Sequence, residues 1–287
     1  MSFFEEELGA TQLETERAER YERLYHYTSV EGLKGILDNE SLWTTQIQYM
    51  NDSKEFGHAV DIALGLIKRK KFSASARLAQ FYSAMENTLG SSNGARTFIF
   101  SMTENPDQLS QWRGYCGLGG YSIGFNKSAL QELCETSNFR LEKCVYDDTE
   151  KERLIGEVIE AAVSYFESQD GREDFDVIER ESKFYSRILK IGSTMKHSSF
   201  VEEQEWRLIG GPFSWKDKKS QWRTRDGLLL PYYELKLARD EDGYLPISEV
   251  YIGPCKERHL AADSLRVYMQ VTKNLFRRRY SKTPYRG

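Results

Sequence analysis

LYHYTSVEGLKGIL, residues 24–37, passes from an apolar and aromatic segment into a helix start within fourteen residues. Leu24 to Tyr27 has the composition of a short strand. Thr28 followed three residues later by Glu31 is a capping-box signature, and GLKGIL continues as a short amphipathic helix. His26, one of four histidines in the chain, therefore falls near the end of a strand beside a strand-to-helix turn. Such a place holds the backbone rigid on one side and leaves it open on the other, which suits a reactive side chain. A lone histidine among aromatics is more often a satisfied structural group, so the residues alone leave both roles open.

Upstream, ETERAERYERL is a charged helical run, and residues 1–20 read as a helical N-terminal extension. Downstream, SLWTTQI is a second strand, and Asn51 to Ser53 form a turn and cap before a helix in YMNDSKEFGHAVDIALGLI. A further helix covers about 73–90, and GSSNG is a loop. ARTFIFSMT (95–103) is a buried strand, NPDQLSQWRGY a turn and short helix, GGYSIGFN (119–126) another strand, and RLEKCVYD is strand-like. Residues 149–191 carry two helical patterns. In the first, Leu154, Ile155, Val158, Ile159, Ala162, Val163 and Phe166 keep a helical period. The last third returns to strands in EEQEWRLIGG, LLLPYYELKL and ISEVYIGP, followed by a helix near 257–270 and a basic final strand. Strands do not alternate strictly with helices, so an α+β fold with a mixed or antiparallel core sheet is expected over a doubly wound parallel one. The chain reads as a single domain, 1–287, with 149–191 as a helical insertion.

The 287 residues are 39% hydrophobic and 29% charged, with net charge −4 and a mean hydropathy of −0.63. These values suit a globular chain with a wet surface. No apolar run reaches bilayer length and the N-terminus is acidic, so no membrane partner and a cytoplasmic location are expected. Cys116, Cys134, Cys144 and Cys255 show no CxxC spacing, which argues against a zinc site or disulfide framework. Glu55 and His58 lack a matching second pair, so no metal is expected. Nucleophile motifs such as GxSxG are absent. An overall acidic chain is not a general nucleic-acid binder. However, residues 273–287 hold six basic residues and no acid, and Arg277, Arg278, Arg279 and Lys282 could meet phosphates. A final strand with a solvated charged face explains the same residues equally well.

Two more clusters carry possible chemistry. QWRGYCGLGGYSIGF (111–125) places five glycines among Trp112, Tyr115 and Tyr121. It is neither a dinucleotide fingerprint nor a phosphate loop, but its open backbone and aromatic faces suit a flat ring. A hairpin turn with core aromatics is the plainer reading. In EEQEWRL (202–208), Glu203 and Glu205 are two apart, so on a strand they would share a face. Like charges at that distance would push one carboxyl's pKa upward. The alternative is a solvated strand edge.

Taken in order, the motifs resemble a family of bacterial proteins known only as a domain of unknown function. They are Tyr25 to Thr28, Ile36-Leu37, Leu42-Trp43, Met50 to Asp52 with Glu55, Phe100-Ser101, Trp112 with Tyr115, Glu203 to Arg207, Ile252 to Pro254 and Ser281 to Arg286. That pattern in turn looks like the ADP-ribosyltransferase fold, a split mixed or antiparallel sheet. The resemblance implies an NAD-dependent transferase acting on a macromolecular acceptor, nucleic acid or protein, in a toxin, stress or antiviral-defence setting, with room for an antitoxin or other regulatory partner. It implies that His26, Tyr27 and Thr28 hold the NAD ribose and that Tyr115 or Tyr121, with Ser122, borders nicotinamide. Trp112 would stand where a second tyrosine is usual. Glu205 would stabilise positive charge on the sugar and Glu203 would orient the acceptor. Arg207 would contact phosphate or hold a carboxylate. A non-catalytic binding module and an NAD glycohydrolase are the competing expectations.

Overall fold

The computed structural model describes residues 11–50, 53–91, 96–117, 119–168, 183–213, 219–225 and 227–284. Asn51 and Asp52 of the expected turn, the Glu55 side chain, residues 1–10, most of the GSSNG loop, residues 169–182, and Tyr285 and Arg286 of the last motif lie outside them.

The chain runs α1 (Gln12–Arg20), β1 (Arg23–Thr28), α2 (Val30–Asn39), β2 (Ser41–Gln46), α3 (Ser53–Phe72), α4 (Ala76–Ser91) and β3 (Arg96–Thr103). It continues through α5 (Leu109–Tyr115), β4 (Tyr121–Asn126), α6 (Lys127–Thr136), β5 (Phe139–Lys143), α7 (Asp148–Ser168) and α8 (Phe184–Gly192). After a 3-10 turn at Ser198–Glu203 come β6 (Glu205–Phe213), β7 (Ser220–Arg225), β8 (Leu228–Lys236), β9 (Ile247–Ile252), α9 (Arg258–Val271) and β10 (Arg277–Tyr280). The expected strand-to-helix start is present, but its cap is Ser29. The Ser29 hydroxyl accepts from the Gly32 amide at 3.2 Å, and Thr28 remains in the strand. Two elements have no counterpart in the sequence reading, α6 and β7.

The fold is α+β, with ten strands in one open mixed sheet. Its pairings are antiparallel except β9 with β10. A parallel pair needs a crossover, which α9 supplies. The position of the groove follows from β3. One edge of β3 pairs with β6 from Arg96 to Thr103, and β6 pairs onward with β5. The other edge is shared: β1 meets it at Thr103, and β2 meets it at Ile99 and Phe98. Beyond these contacts the sheet divides into β1-β4-β9-β10 and β2-β8-β7. Between them Phe100 and Ser101 have no strand partner on that edge, so the sheet is open there.

Two cores hold the molecule together. The larger packs Leu33, Ile36 and Leu37 of α2, and Ala262, Leu265 and Met269 of α9, against sheet residues such as Phe98, Ile123, Phe125 and Val250. Gly210 pairs with Phe139, and a Cβ on it would lie 2.3 Å from the Phe139 ring. No side chain fits there. The second core is helical. Ile155, Val158, Ile159, Ala162 and Phe166 of α7 recur at helical spacing and meet Ala59, Ala63, Ile67, Phe81, Met85 and Ile188. Thus α3 and α4 share one core with α7 and α8, and the helical unit extends beyond 149–191.

Candidate functional site

His26 projects from β1 at the division of the sheet. Its ring stacks on Phe100 with centroids 4.1 Å apart, and Nδ1 lies 2.8 Å from the Ser101 carbonyl. A carbonyl can only accept, so Nδ1 carries the proton and Nε2 is left as an acceptor. No hydrogen bond to Nε2 forms among the described residues. Burial lowers the His26 pKa to about 4, the Ser101 carbonyl opposes that shift, and the nearby Arg223 charge adds to it. The ring is therefore neutral at pH 7.

Glu205 opens β6 opposite Thr103. It is 3% exposed, and both of its oxygens are occupied. Arg207, two residues along and on the same face, donates from Nε at 2.8 Å and from Nη2 at 3.0 Å. Lys196 Nζ donates to the same carboxylate at 2.8 Å and to Glu203 at 2.9 Å. Burial raises the Glu205 pKa, but Arg207 and then Lys196 outweigh it and hold the carboxyl at about 2. This corrects the expectation of a carboxylate pushed upward: a buried lysine lies between the two acids and removes their repulsion. The expected shared strand face is also corrected. Glu203 ends the 3-10 turn, and Gln204 adopts φ 42°, so the chain turns before the strand begins. The two carboxylates converge through the lysine. Lys196 carried no sequence signal, because nothing in TMKHSS marks a lysine as 1% exposed.

Two cavities share His26, Tyr27, Ser101 and Tyr115 as walls. A small one of about 50 Å³ adds Tyr25, Met102, Thr103, Gln111, Glu203 and Glu205. A groove of about 700 Å³ lies over the division of the sheet and reaches Thr28, α2, Trp43 and Thr45 of β2, and Arg223 and Arg225 of β7. The Ser101 hydroxyl, where they meet, is buried with no hydrogen-bond partner among the described residues. Neither Gln111 nor Ser101 was expected as a site residue, although Ser101 belongs to the Phe100-Ser101 motif.

The remaining expected site residues divide sharply. Tyr115 is 43% exposed and borders both cavities. Tyr121 packs in the main core and Ser122 is fully buried, and neither lines either of these two cavities. Trp112 is a buried support. Its Nε1 donates to Asp107 at 2.7 Å, and its ring stands edge-on to Tyr27 at 4.7 Å. Tyr27 in turn accepts from the Gln108 amide at 2.8 Å and donates to the Asn105 carbonyl at 2.9 Å, fixing the start of α5. Arg207 also donates to the Ser193 carbonyl at 3.0 Å, so it holds the carboxylate and does not face a ligand. In the basic C-terminal run, Arg277 and Arg278 are buried, and Arg279 pairs with Glu249 at 2.9 Å. Lys282 is the exposed member, and its amide is held by Asp107. Within the run, Arg277–Tyr280 is a sheet strand that buries two of its three arginines.

Fold and site together describe an α+β protein whose open mixed sheet carries a small cavity, bordered by His26 and two glutamates, beside a large groove. Residues 111–208 match the model of a family described as "Protein of unknown function (DUF2971)", a segment that includes Tyr115, Lys196, Glu203, Glu205 and Arg207. No curated protein and no solved structure matches the chain. Among the described residues no group of three or more His, Cys, Asp or Glu is placed to hold a metal, and no helix is long and apolar enough to cross a membrane.

The two depressed pKa values set an acid response. In the unfolded chain His26 titrates near its ordinary 6.5, above its folded value of about 4. As pH falls below 6.5 the unfolded state therefore binds protons first, and up to about 3 kcal/mol is lost by pH 4. Glu205 has the same sign lower down, between its ordinary 4.5 and its folded value of about 2. Thermal melts from pH 7.5 to pH 4 should show falling Tm, and His26→Asn should flatten that limb. An unchanged limb in the variant would mean that His26 does not titrate in this way.

Proposed function

We propose that the protein is an ADP-ribosyltransferase-like enzyme that uses NAD as co-substrate to modify a macromolecule, nucleic acid or protein. One observation carries this reading: His26 and the Glu203–Glu205 pair, far apart in sequence, border one small cavity that adjoins a groove of dinucleotide size. In this reading the neutral His26 Nε2 accepts a ribose hydroxyl, and Tyr115 covers the nicotinamide. Glu205, kept ionised by Arg207 and Lys196, faces the positive charge that builds on the sugar as the bond from C1′ to nicotinamide nitrogen breaks. That electron pair leaves with nicotinamide. The acceptor then bonds to C1′, and its proton passes to Glu203.

A second reading has a specific observation in its favour. Both Glu205 oxygens are engaged by Arg207 and Lys196, as in a purely structural ion pair. The cavity would then bind a ligand without cleaving it.

The test is incubation with labelled NAD and lysate fractionated into protein, RNA and DNA, with free nicotinamide followed in parallel. Label transfer that falls roughly tenfold or more in Tyr115→Ala, at unchanged Tm, is expected, since an exposed ring lost from the ligand costs binding and not folding. Nicotinamide release without transfer would replace the transferase by a hydrolase. No release and no NAD binding would overturn both enzymatic readings.

A further inference from the structure

The far end of the groove, away from Glu203 and Glu205, is formed by β7, a strand absent from the sequence reading. Arg223 and Arg225 are two apart on it, so they share a face and line the groove together. Arg223 is half-buried. It donates from Nη2 to the Thr45 hydroxyl at 2.7 Å, and its guanidinium lies 5.9 Å from the Trp43 ring. Its Nε is buried without a hydrogen-bond partner, and no carboxylate among the described residues lies within ion-pair distance of it. A guanidinium has five N–H donors in a planar fork suited to oxyanions. Arg223 is thus a partly desolvated cation with its Nε unmet, on the same face as a second arginine. An anion in the groove would meet the open donor of Arg223 and be attracted by both positive charges. The acid on the facing wall, Glu31, is turned to its own helix start, where its backbone amide and Ser29 hold its pKa down.

An aromatic platform adjoins the two arginines. Trp43 and Tyr232 stack at 4.6 Å and 27°, and Trp43 also borders the groove. A cationic fork beside a flat aromatic face suits a phosphate joined to a base, because every base has a π-face to stack and every phosphate takes a bidentate guanidinium. We infer that this end of the groove is a nucleotide-binding arm, with Arg223 and Arg225 on a phosphate and Trp43 against the base. The phosphate belongs either to a free nucleotide or to the end of a nucleic-acid strand. The assignment rests on β7 and β2 alone and does not require that any bond be cleaved.

Calorimetric titration of the full chain with ADP, NAD and a short single-stranded oligonucleotide tests it, using Arg223→Gln, Arg225→Gln, Trp43→Leu and, as a distant control, Arg69→Gln. Each groove variant is expected to weaken binding roughly tenfold or more, with the control unchanged. Arg225→Gln, at an exposed position, keeps the test valid if Arg223→Gln folds poorly. Binding of ADP and NAD supports a free nucleotide as the source, and binding of the oligonucleotide alone supports a strand end. No binding by any of the three, or binding indifferent to all three groove variants, overturns the assignment. NAD held through Arg225 without nicotinamide release would keep the arm and remove the proposed reaction. Release unaffected by Arg223→Gln and Arg225→Gln would do the reverse.

Discussion

Glu205→Gln is expected to abolish label transfer from NAD and to destabilise the fold at the same time. The substitution keeps the side chain's shape but removes the charge on which Arg207 Nε, Arg207 Nη2 and Lys196 Nζ converge. Breaking a buried pair by neutralising one member leaves the other charges uncompensated, at a cost of about 3–5 kcal/mol. Loss of activity in this variant alone therefore does not separate chemistry from folding. Glu203→Gln makes the separation. Glu203 is the more exposed acid, and Lys196 would keep Glu205 as its partner. It should lose transfer by about 10²-fold or more, as expected for a positioned proton acceptor, with little change in Tm. Full transfer in both variants at a temperature where they are folded would remove the carboxylates from the reaction.

Lys196→Met is expected to cost a similar 3–5 kcal/mol, because it leaves two carboxylates facing each other in a buried site with only Arg207 beside one of them. For a chain of this size that is a Tm drop on the order of 10 °C. The predicted signature lies in the combination. Lys196→Met with Glu205→Met removes one cation and one anion together, so the pair should be less destabilised than the two single variants summed, by about 0.5–3 kcal/mol. Simple additivity would show that Lys196 and Glu205 do not interact in the folded protein. The same lysine also explains the acid limb below pH 4.5, since part of the force holding Glu205 at about 2 comes from it.

Much of the local structure was readable because it depends on neighbours in the chain. The strand at 96–103 carries an apolar centre, Phe98, Ile99 and Phe100 with Met102, and is buried at nearly every position. The period of α7 shows in Ile155, Val158, Ile159, Ala162 and Phe166, which are buried. The Glu205–Arg207 contact follows from a spacing of two on a strand. Less was readable where burial and composition disagree. In α6 only Leu130 is buried, so its helical period is faint. SQWRTR in β7 lies at the edge of the sheet with no buried position, and its charges resemble a loop. The arginines of β10 looked like a solvated tail, although Arg277 and Arg278 are buried and Arg279 is paired to Glu249.

By itself, then, the sequence determined the α+β class, the order of most elements, the placing of His26 near a strand end and the presence of a strand through Glu205 and Arg207. Each depends on residues a few positions apart, where helical and strand periods act. Tertiary structure alone decided the rest: that β1 and β2 share one edge of β3 and leave a groove between them, and that Lys196 sits between two glutamates. It also decided that Arg223 reaches the groove from the opposite end of the chain from His26. These depend on which distant segments are brought together to satisfy a buried charge or a strand edge, and chain spacing carries no record of such pairings.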